Sequence, residues 1–145
     1  MNEQTIEQTE QEIVEDFELF DNQVGKYELL IDIGHRLPEM PETLKQDSNL
    51  IEGCTSMVWV YAKEKNGRIY FQADSNTVIT KGIIALLLKV LNGRKAEDIV
   101  NAQLGFLEKI NMRSLLSGQR SNGLQNMIKR IKHDAAKFII NTRKG

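Results

Sequence analysis

Apolar residues recur every three or four positions through the first quarter of the chain, which is the spacing of amphipathic helices. The pattern predicts one helix over residues 5–20 and a second over residues 23–36. Asp21 and Asn22 lie between the two, where such residues end one helix and cap the next. The second helix is predicted to stop before Pro38, since proline lacks the amide hydrogen that a helix requires.

In the middle of the chain the pattern favours strands. Residues 57–63 and 68–73 are rich in β-favouring side chains, and Lys65-Asn66-Gly67 between them predicts a hairpin turn. Asp74-Ser75-Asn76 follows the second strand, and these residue types are predicted to cap the helix that comes next. The sequence therefore indicates a strand hairpin leading directly into a helix.

The remaining elements are helical by the same criteria. Residues 77–91 are apolar on nearly every side and predict the central buried helix. Short helices are expected over 96–101 and about 104–110, and the last helix from about Ser121 or Asn122 to Asn141. One domain spanning residues 1–145 follows, of the α+β class, with a small antiparallel sheet packed against helices.

Composition and charge narrow the class of protein. The 145 residues are 41% apolar and 27% charged with a net charge of −1, as in an ordinary globular domain. Residues 1–21 contain eight acids and no base, whereas residues 113–145 contain eight bases and one acid. The basic end lacks interleaved aromatic residues, so nucleic acid is not predicted as a partner, while an acidic protein partner stays open. With no membrane-length apolar run and no signal-like start, we expect a cytoplasmic protein that does not enter a membrane.

Cys54 is the single cysteine, which limits the chemistry available. One thiol excludes an internal disulfide and any metal or iron–sulfur site that takes several thiolates from one chain. It leaves a buried structural thiol or a nucleophile, and the preceding Gly53 at a turn between apolar runs favours the nucleophile. A cysteine hydrolase or transferase that uses His35 or His133 as its base remains an alternative. The two histidines have no metal-ligand spacing, so no metal site is predicted.

Three further positions carry charge near these elements. Asp74 is predicted either to cap the buried helix or to lie near the cysteine loop. Lys81 is unusual inside an apolar helix and is expected to reach the surface, and the adjacent Gly82 lets another segment approach closely. Arg120 is expected to project from a loop before the last helix, where its planar fork can bind a carboxylate or stabilise a thiolate.

Taken together, four segments resemble the SufE family of sulfur-acceptor proteins, the partners of cysteine desulfurases in iron–sulfur cluster assembly. The likeness runs from the second helix to the last. The four segments are Leu50 to Trp59 (LIEGCTSMVW), Asp74-Ser75, Ile79 to Ala85 (ITKGIIA) and Arg120 to Leu124 (RSNGL).

The resemblance implies a role for each matching residue. Cys54 falls on the family's acceptor cysteine, with Arg120 and Asp74 expected to set the charge and position of its loop. The expected loop and cavity supports are Gly53, Ser56, Trp59, Ser75 and Lys81. Two positions depart from the common pattern: Asn76 stands where many members have an acid, and Gly118 where many have proline. The charge and rigidity around the acceptor therefore stay open.

The resemblance also implies a fold, partners and a reaction. The fold would be that of the U-type cluster scaffolds, which carry several cysteines where this chain has one. The implied partners are a SufS-type cysteine desulfurase, which brings its own pyridoxal phosphate, and a SufBCD-type scaffold, so this chain needs no cofactor. Its thiol would take persulfide sulfur and stimulate the desulfurase, sheltered by Leu50, Ile51, Met57 and Trp59. The loop would then swing out with Gly53 as its hinge.

Overall fold

The computed structural model describes residues 4–144, with side chains through residue 141, and it confirms an α+β fold. A three-stranded antiparallel sheet packs against helices. Among the described residues, no helix is both long enough and apolar enough to cross a membrane. The strands are β1 (Val58–Lys65), β2 (Arg68–Ser75) and β3 (Arg94–Lys95). The helices are α1 (Ile6–Glu18), α2 (Gln23–His35), α3 (Val78–Leu91), α4 (Ala96–Asn101), α5 (Phe106–Lys109), α6 (Met112–Leu115) and α7 (Gly118–Lys144).

The predicted hairpin is confirmed and fixes the register of the sheet. Asn66 and Gly67 both take positive φ, at 55° and 80°, which is the backbone of a tight two-residue hairpin turn. The strands pair from Lys65 opposite Arg68 at the turn to Val58 opposite Ser75 at the far end. The far end of the hairpin is therefore the place where the cysteine segment enters β1.

Helix α3 is the centre of the core, as its apolar sequence predicts, and ten of its fourteen residues are buried. Helix α2 crosses it where glycine meets glycine. A Cβ atom added at Gly82 would lie 2.4 Å from the carbonyl oxygen of Leu30, and one added at Gly34 would lie 2.8 Å from the amide nitrogen of Gly82. The prediction that Gly82 permits a close approach is confirmed, because no larger side chain fits that crossing.

The start of α7 differs from the prediction. Ser117, and not Ser121 or Asn122, caps the helix: its hydroxyl accepts the backbone N–H of Arg120 at 3.3 Å. The helix begins at Gly118, so Ser121, Asn122 and the buried Gly123 all lie inside it. The expectation that Arg120 projects from a loop is wrong, because it leaves the first turn of α7.

The segment before α3 also differs from the prediction. Thr77 is the N-cap residue of α3, and its side chain makes no capping hydrogen bond. Asn76 instead accepts the backbone N–H of Met57 through Oδ1 at 3.0 Å, and the Ser75 hydroxyl donates to the Met57 carbonyl at 2.8 Å. The Asp74 carboxylate binds two lysines and does not cap the helix. The polar residues of this segment tie β2 to the end of the cysteine loop.

Candidate functional site

Cys54 lies in a short loop closed by a rigid frame. The backbone N–H of Ile51 donates to the Val58 carbonyl at 2.8 Å, and Leu50 bridges Trp59 just outside it. The chain between these two closures reverses at Gly53, whose φ of +82° favours glycine. The thiol is therefore carried by a turn that leads directly into β1, as the sequence predicts.

The first turns of α7 cover this loop. The Cys54 thiol donates to the Gly123 carbonyl with Sγ at 3.7 Å from the oxygen, a long contact. A Cβ atom added at Gly123 would lie 3.5 Å from Sγ, so the glycine brings the helix backbone directly against the sulfur. The cysteine side chain is partly buried as a result.

A narrow recess of about 10 Å³ surrounds the thiol, which is about the space that one water molecule occupies. It is bounded by Ser56, Thr80, Ile83, Arg120 and Met127, among others. The free space beside the sulfur is therefore no larger than about one water molecule. Chemistry with a second protein therefore requires the sulfur to leave the recess.

Ser56 anchors the far side of the loop. Its hydroxyl oxygen accepts hydrogen bonds from the Thr77 and Thr80 hydroxyls, at 2.9 and 3.3 Å. Thr77 precedes α3 and Thr80 lies in its first turn. The expected supporting role of Ser56 thus has a physical basis in these two contacts.

Burial raises the pKa of the Cys54 thiol, because the thiolate loses solvation in the recess. Arg120 lines the same recess, and its charge does not reverse that effect. The thiol in this closed position is therefore protonated at neutral pH, whereas the thiolate is the nucleophile.

The raised pKa predicts slow alkylation of the closed thiol. We expect the reaction of Cys54 with iodoacetamide to be slower in the folded protein than in the same chain unfolded in urea. Its rate should rise over a pH window above about 8.5, the ordinary range of a cysteine, because a raised pKa keeps the thiol protonated longer. Alkylation rates measured against pH for both states check this, and a folded midpoint below the unfolded one would contradict it.

Asp74 belongs to a second cluster, outside the recess. Its carboxylate lies 2.9 Å from the Lys45 Nζ and 3.3 Å from the Lys81 Nζ, and it accepts the Ser75 N–H at 2.8 Å. Partial burial alone would raise the pKa of Asp74, but these partners outweigh burial and hold it below its usual value. Lys45 also lies 5.6 Å from the centre of the Trp59 ring, so the cluster braces the strand beside the loop. Lys81 thus ends in an ion pair near the end of β2.

The flanking apolar residues divide into two groups. Ile51 is buried, and Leu50 and Trp59 are partly buried. Met57 is 46% exposed and offers little shelter to the thiol, against the expectation from sequence. Met57 directly precedes strand β1. Side chains alternate between the two faces of a strand, so Val58 points inward and Met57 points to the solvent.

Sequence reasoning missed the residues of α7 that hold the loop. The Asn126 amide donates to the Gly53 carbonyl at 3.1 Å, and Arg130 donates to the carbonyls of Leu50 and Ser48 at 3.0 and 2.8 Å. Arg130 also pairs with the buried Asp134 at 3.1 Å. Their spacing of four puts all three on one face of the helix. The signal available in the sequence was Asp134, the one acid among the eight bases of residues 113–145.

Neither histidine lines the recess of Cys54. His35 is the exposed last residue of α2, and His133 is exposed on α7 beside a separate open groove. The described residues contain no group of three or more histidine, cysteine or acidic side chains that could hold a metal ion. The geometry gives no support to a cysteine–histidine pair.

The chain matches a family model over most of its length. The family model described as "SufE: Fe-S metabolism associated domain" matches residues 11–135. An uncharacterized SufE-like protein of Rhizobium meliloti is 34% identical over 129 residues, covering 86% of this chain and 92% of that protein. One from Synechocystis is 32% identical over 133 residues, covering 92% of this chain and 84% of that protein.

Two further matches are of different kinds. SufE-like protein 1 of Arabidopsis thaliana, named as chloroplastic/mitochondrial, is 39% identical over 122 residues, which are 82% of this chain but 32% of the plant protein. The solution structure of a hypothetical protein from Thermus thermophilus superposes with a TM-score of 0.76, covering 91% of this chain and 96% of that one. At 16% identity this structural match supports the fold alone.

Proposed function

The chain belongs to the SufE family, and we propose that it is the sulfur acceptor of a cysteine desulfurase in iron–sulfur cluster assembly. Membership places it in iron–sulfur metabolism. The observation that supports a role as sulfur acceptor is the setting of Cys54, the single thiol of the chain. It lies on a loop closed by Ile51 and Val58, under a helix turn that meets the sulfur with a glycine.

The proposed step is a thiol–disulfide exchange in which sulfur is the transferred group. The Cys54 thiolate attacks the outer sulfur of a persulfide on the desulfurase. The donor's sulfur–sulfur bond breaks, its electron pair stays with the desulfurase cysteine, and a new persulfide forms on Cys54. The proton lost by Cys54 balances the one taken up by the leaving thiolate, so no oxidant or reductant is consumed. A SufBCD-type scaffold then accepts the sulfur.

The closed position of the loop would protect the Cys54 thiol, and sulfur transfer would require the loop to open. In the recess the thiol is protonated, and the free space of about 10 Å³ beside it is too small for the persulfide-bearing side chain of a second protein to enter. Swinging the loop about Gly53 exposes the thiol to water and restores an ordinary pKa. Arg120, at the edge of the recess, is proposed to stabilise the thiolate or persulfide as it leaves. We propose that this exchange takes place in the cytoplasm, with a SufS-type desulfurase that supplies pyridoxal phosphate.

Incubation with a cysteine desulfurase and free cysteine tests the proposal. Mass spectrometry of the recovered protein should show the mass of one added sulfur atom on the peptide that contains Cys54, removed again by a reductant. Omitting the desulfurase is the control and should leave the peptide unchanged. No added sulfur in the complete mixture would end the proposal. Turnover of a substrate by the isolated protein, lost on replacing His35 or His133 by alanine, would favour the hydrolase instead.

A further inference from the structure

The Cys54 loop is fixed at both ends and held differently at its tip. On one side Ile51 pairs with Val58 at 2.8 Å, and on the other Ser56 accepts two threonine hydroxyls at the start of α3. Residues 52–55 lie between these anchors, and Glu52, Gly53 and Thr55 are exposed. Movement of this four-residue stretch leaves both anchors in place.

Two hydrogen bonds between the loop and α7 hold the tip. The Cys54 thiol donates to the Gly123 carbonyl at 3.7 Å, and a thiol is a weak donor. The Asn126 side-chain amide donates to the Gly53 carbonyl at 3.1 Å, with ordinary hydrogen-bond geometry. The amide is therefore the stronger of the two.

The fit between Asn126 and Gly53 is specific. A Cβ atom added at Gly53 would lie 2.2 Å from the Asn126 Nδ2, so a larger residue at position 53 would displace the amide from this carbonyl. Gly53 thus has two roles. Its φ of +82° permits the turn, and its small size leaves room for the contact with α7. The bond also crosses the reversal of the loop, one residue before the thiol.

We infer that Asn126 is a latch that sets how often the Cys54 loop opens, an inference that rests on the proposed function for its purpose. Asn126 does not touch the reacting sulfur and acts as a positioning residue through the Gly53 carbonyl. While the amide is bonded, Cys54 stays in the recess and protonated. When the bond breaks, residues 52–55 move between their anchors and the thiol reaches water.

Alkylation of the isolated protein with iodoacetamide tests the latch without any desulfurase. For Asn126→Ala we expect Cys54 to react about two- to tenfold faster at fixed pH, the effect of losing one hydrogen bond. The pH midpoint of the reaction should move down toward that of the chain unfolded in urea. Gln125→Ala, which removes the exposed amide next to it on α7, is the matched control and should react as the unsubstituted protein does.

A second variant separates the latch from a loss of fold. Asn126→Asp puts a carboxylate that cannot donate beside the Gly53 carbonyl, and it should react at least as fast as Asn126→Ala. The unfolding free energy of both variants should fall by no more than the free energy that their acceleration represents, because the bond is absent from the open loop and from the unfolded chain alike. Rates equal to that of the unsubstituted protein overturn the inference, and so does an acceleration whose dependence on urea has the m-value of global unfolding, because Cys54 would then react through the unfolded chain. A protein that fails to take up sulfur from a desulfurase refutes the proposed function, whereas these rates refute the latch alone.

Discussion

Replacing Cys54 with serine is expected to leave a partner desulfurase at the turnover it has alone, with no sulfur bound to the variant. A serine hydroxyl is not ionised near neutral pH and forms no persulfide, so the exchange has no acceptor. The fold should survive, because the partly buried thiol makes one long hydrogen bond, with Gly123. Sulfide released from cysteine in the presence of a reductant, measured with and without the protein, checks the expectation.

The control for this loss is a surface change that keeps the thiol. Gln125→Ala, on the exposed side of α7, should stimulate the desulfurase as the unsubstituted protein does. Equal urea midpoints for Cys54→Ser and Gln125→Ala would show that the lost stimulation is chemical. Full stimulation by the serine variant would mean that the protein acts by contact alone, and the acceptor mechanism would be wrong.

The elements that the sequence predicts well are those with strong local signals. The apolar run of residues 77–91 forms α3 to within one residue, because a run of this length is too long for an ordinary strand and is typical of a buried helix. Asn66-Gly67 located the hairpin, because these residue types accept the positive φ angles that a tight turn requires. The short elements β3 and α6 were not predicted, since two- and four-residue elements depend on tertiary partners: β3 exists through its pairing with β2.

The parts of the site that depend on neighbouring residues in the sequence were predicted, and the parts that depend on long-range contacts were not. Cys54 and Gly53 followed from residue type and order, whereas Asn126 and Arg130 contact the loop from more than 70 positions away. Asp74 shows a related limit. Its residue type suits a helix cap, and only the structure shows that Lys45, brought alongside by the segment before the cysteine loop, takes the carboxylate.

Replacing Arg130 with alanine is expected to be among the most destabilising single changes on α7. The Asp134 side chain is 9% exposed and would lose the guanidinium at 3.1 Å. Breaking a buried ion pair from one side costs about 3–5 kcal/mol, since it leaves a buried charge without its partner. We expect about 3 kcal/mol, the low end of that range, because the Lys137 Nζ stays 3.7 Å from the carboxylate. Urea unfolding measures the change.

A matched control separates burial from charge pairing. Arg36 and Asp32 also form a pair four residues apart on a helix, but their side chains are 68% and 51% exposed. Arg36→Ala should therefore cost less than about 1 kcal/mol, as exposed pairs do. The double variant Arg130→Ala/Asp134→Ala should recover part of the loss, because it removes the unpaired acid as well. A single Arg130→Ala change that costs no more than Arg36→Ala would contradict the prediction.

Arg130 does more than neutralise Asp134, and this gives the prediction a second readout. Its guanidinium also binds the carbonyls of Leu50 and Ser48, the chain that leads into the cysteine loop. The double variant restores charge balance but not those two bonds, so its stability and its function should separate. We expect the double variant to unfold at a higher urea concentration than Arg130→Ala. We expect both variants to lower the kcat/KM of sulfur transfer from the desulfurase to a similar degree, because both have lost the two hydrogen bonds that hold the chain before the cysteine loop.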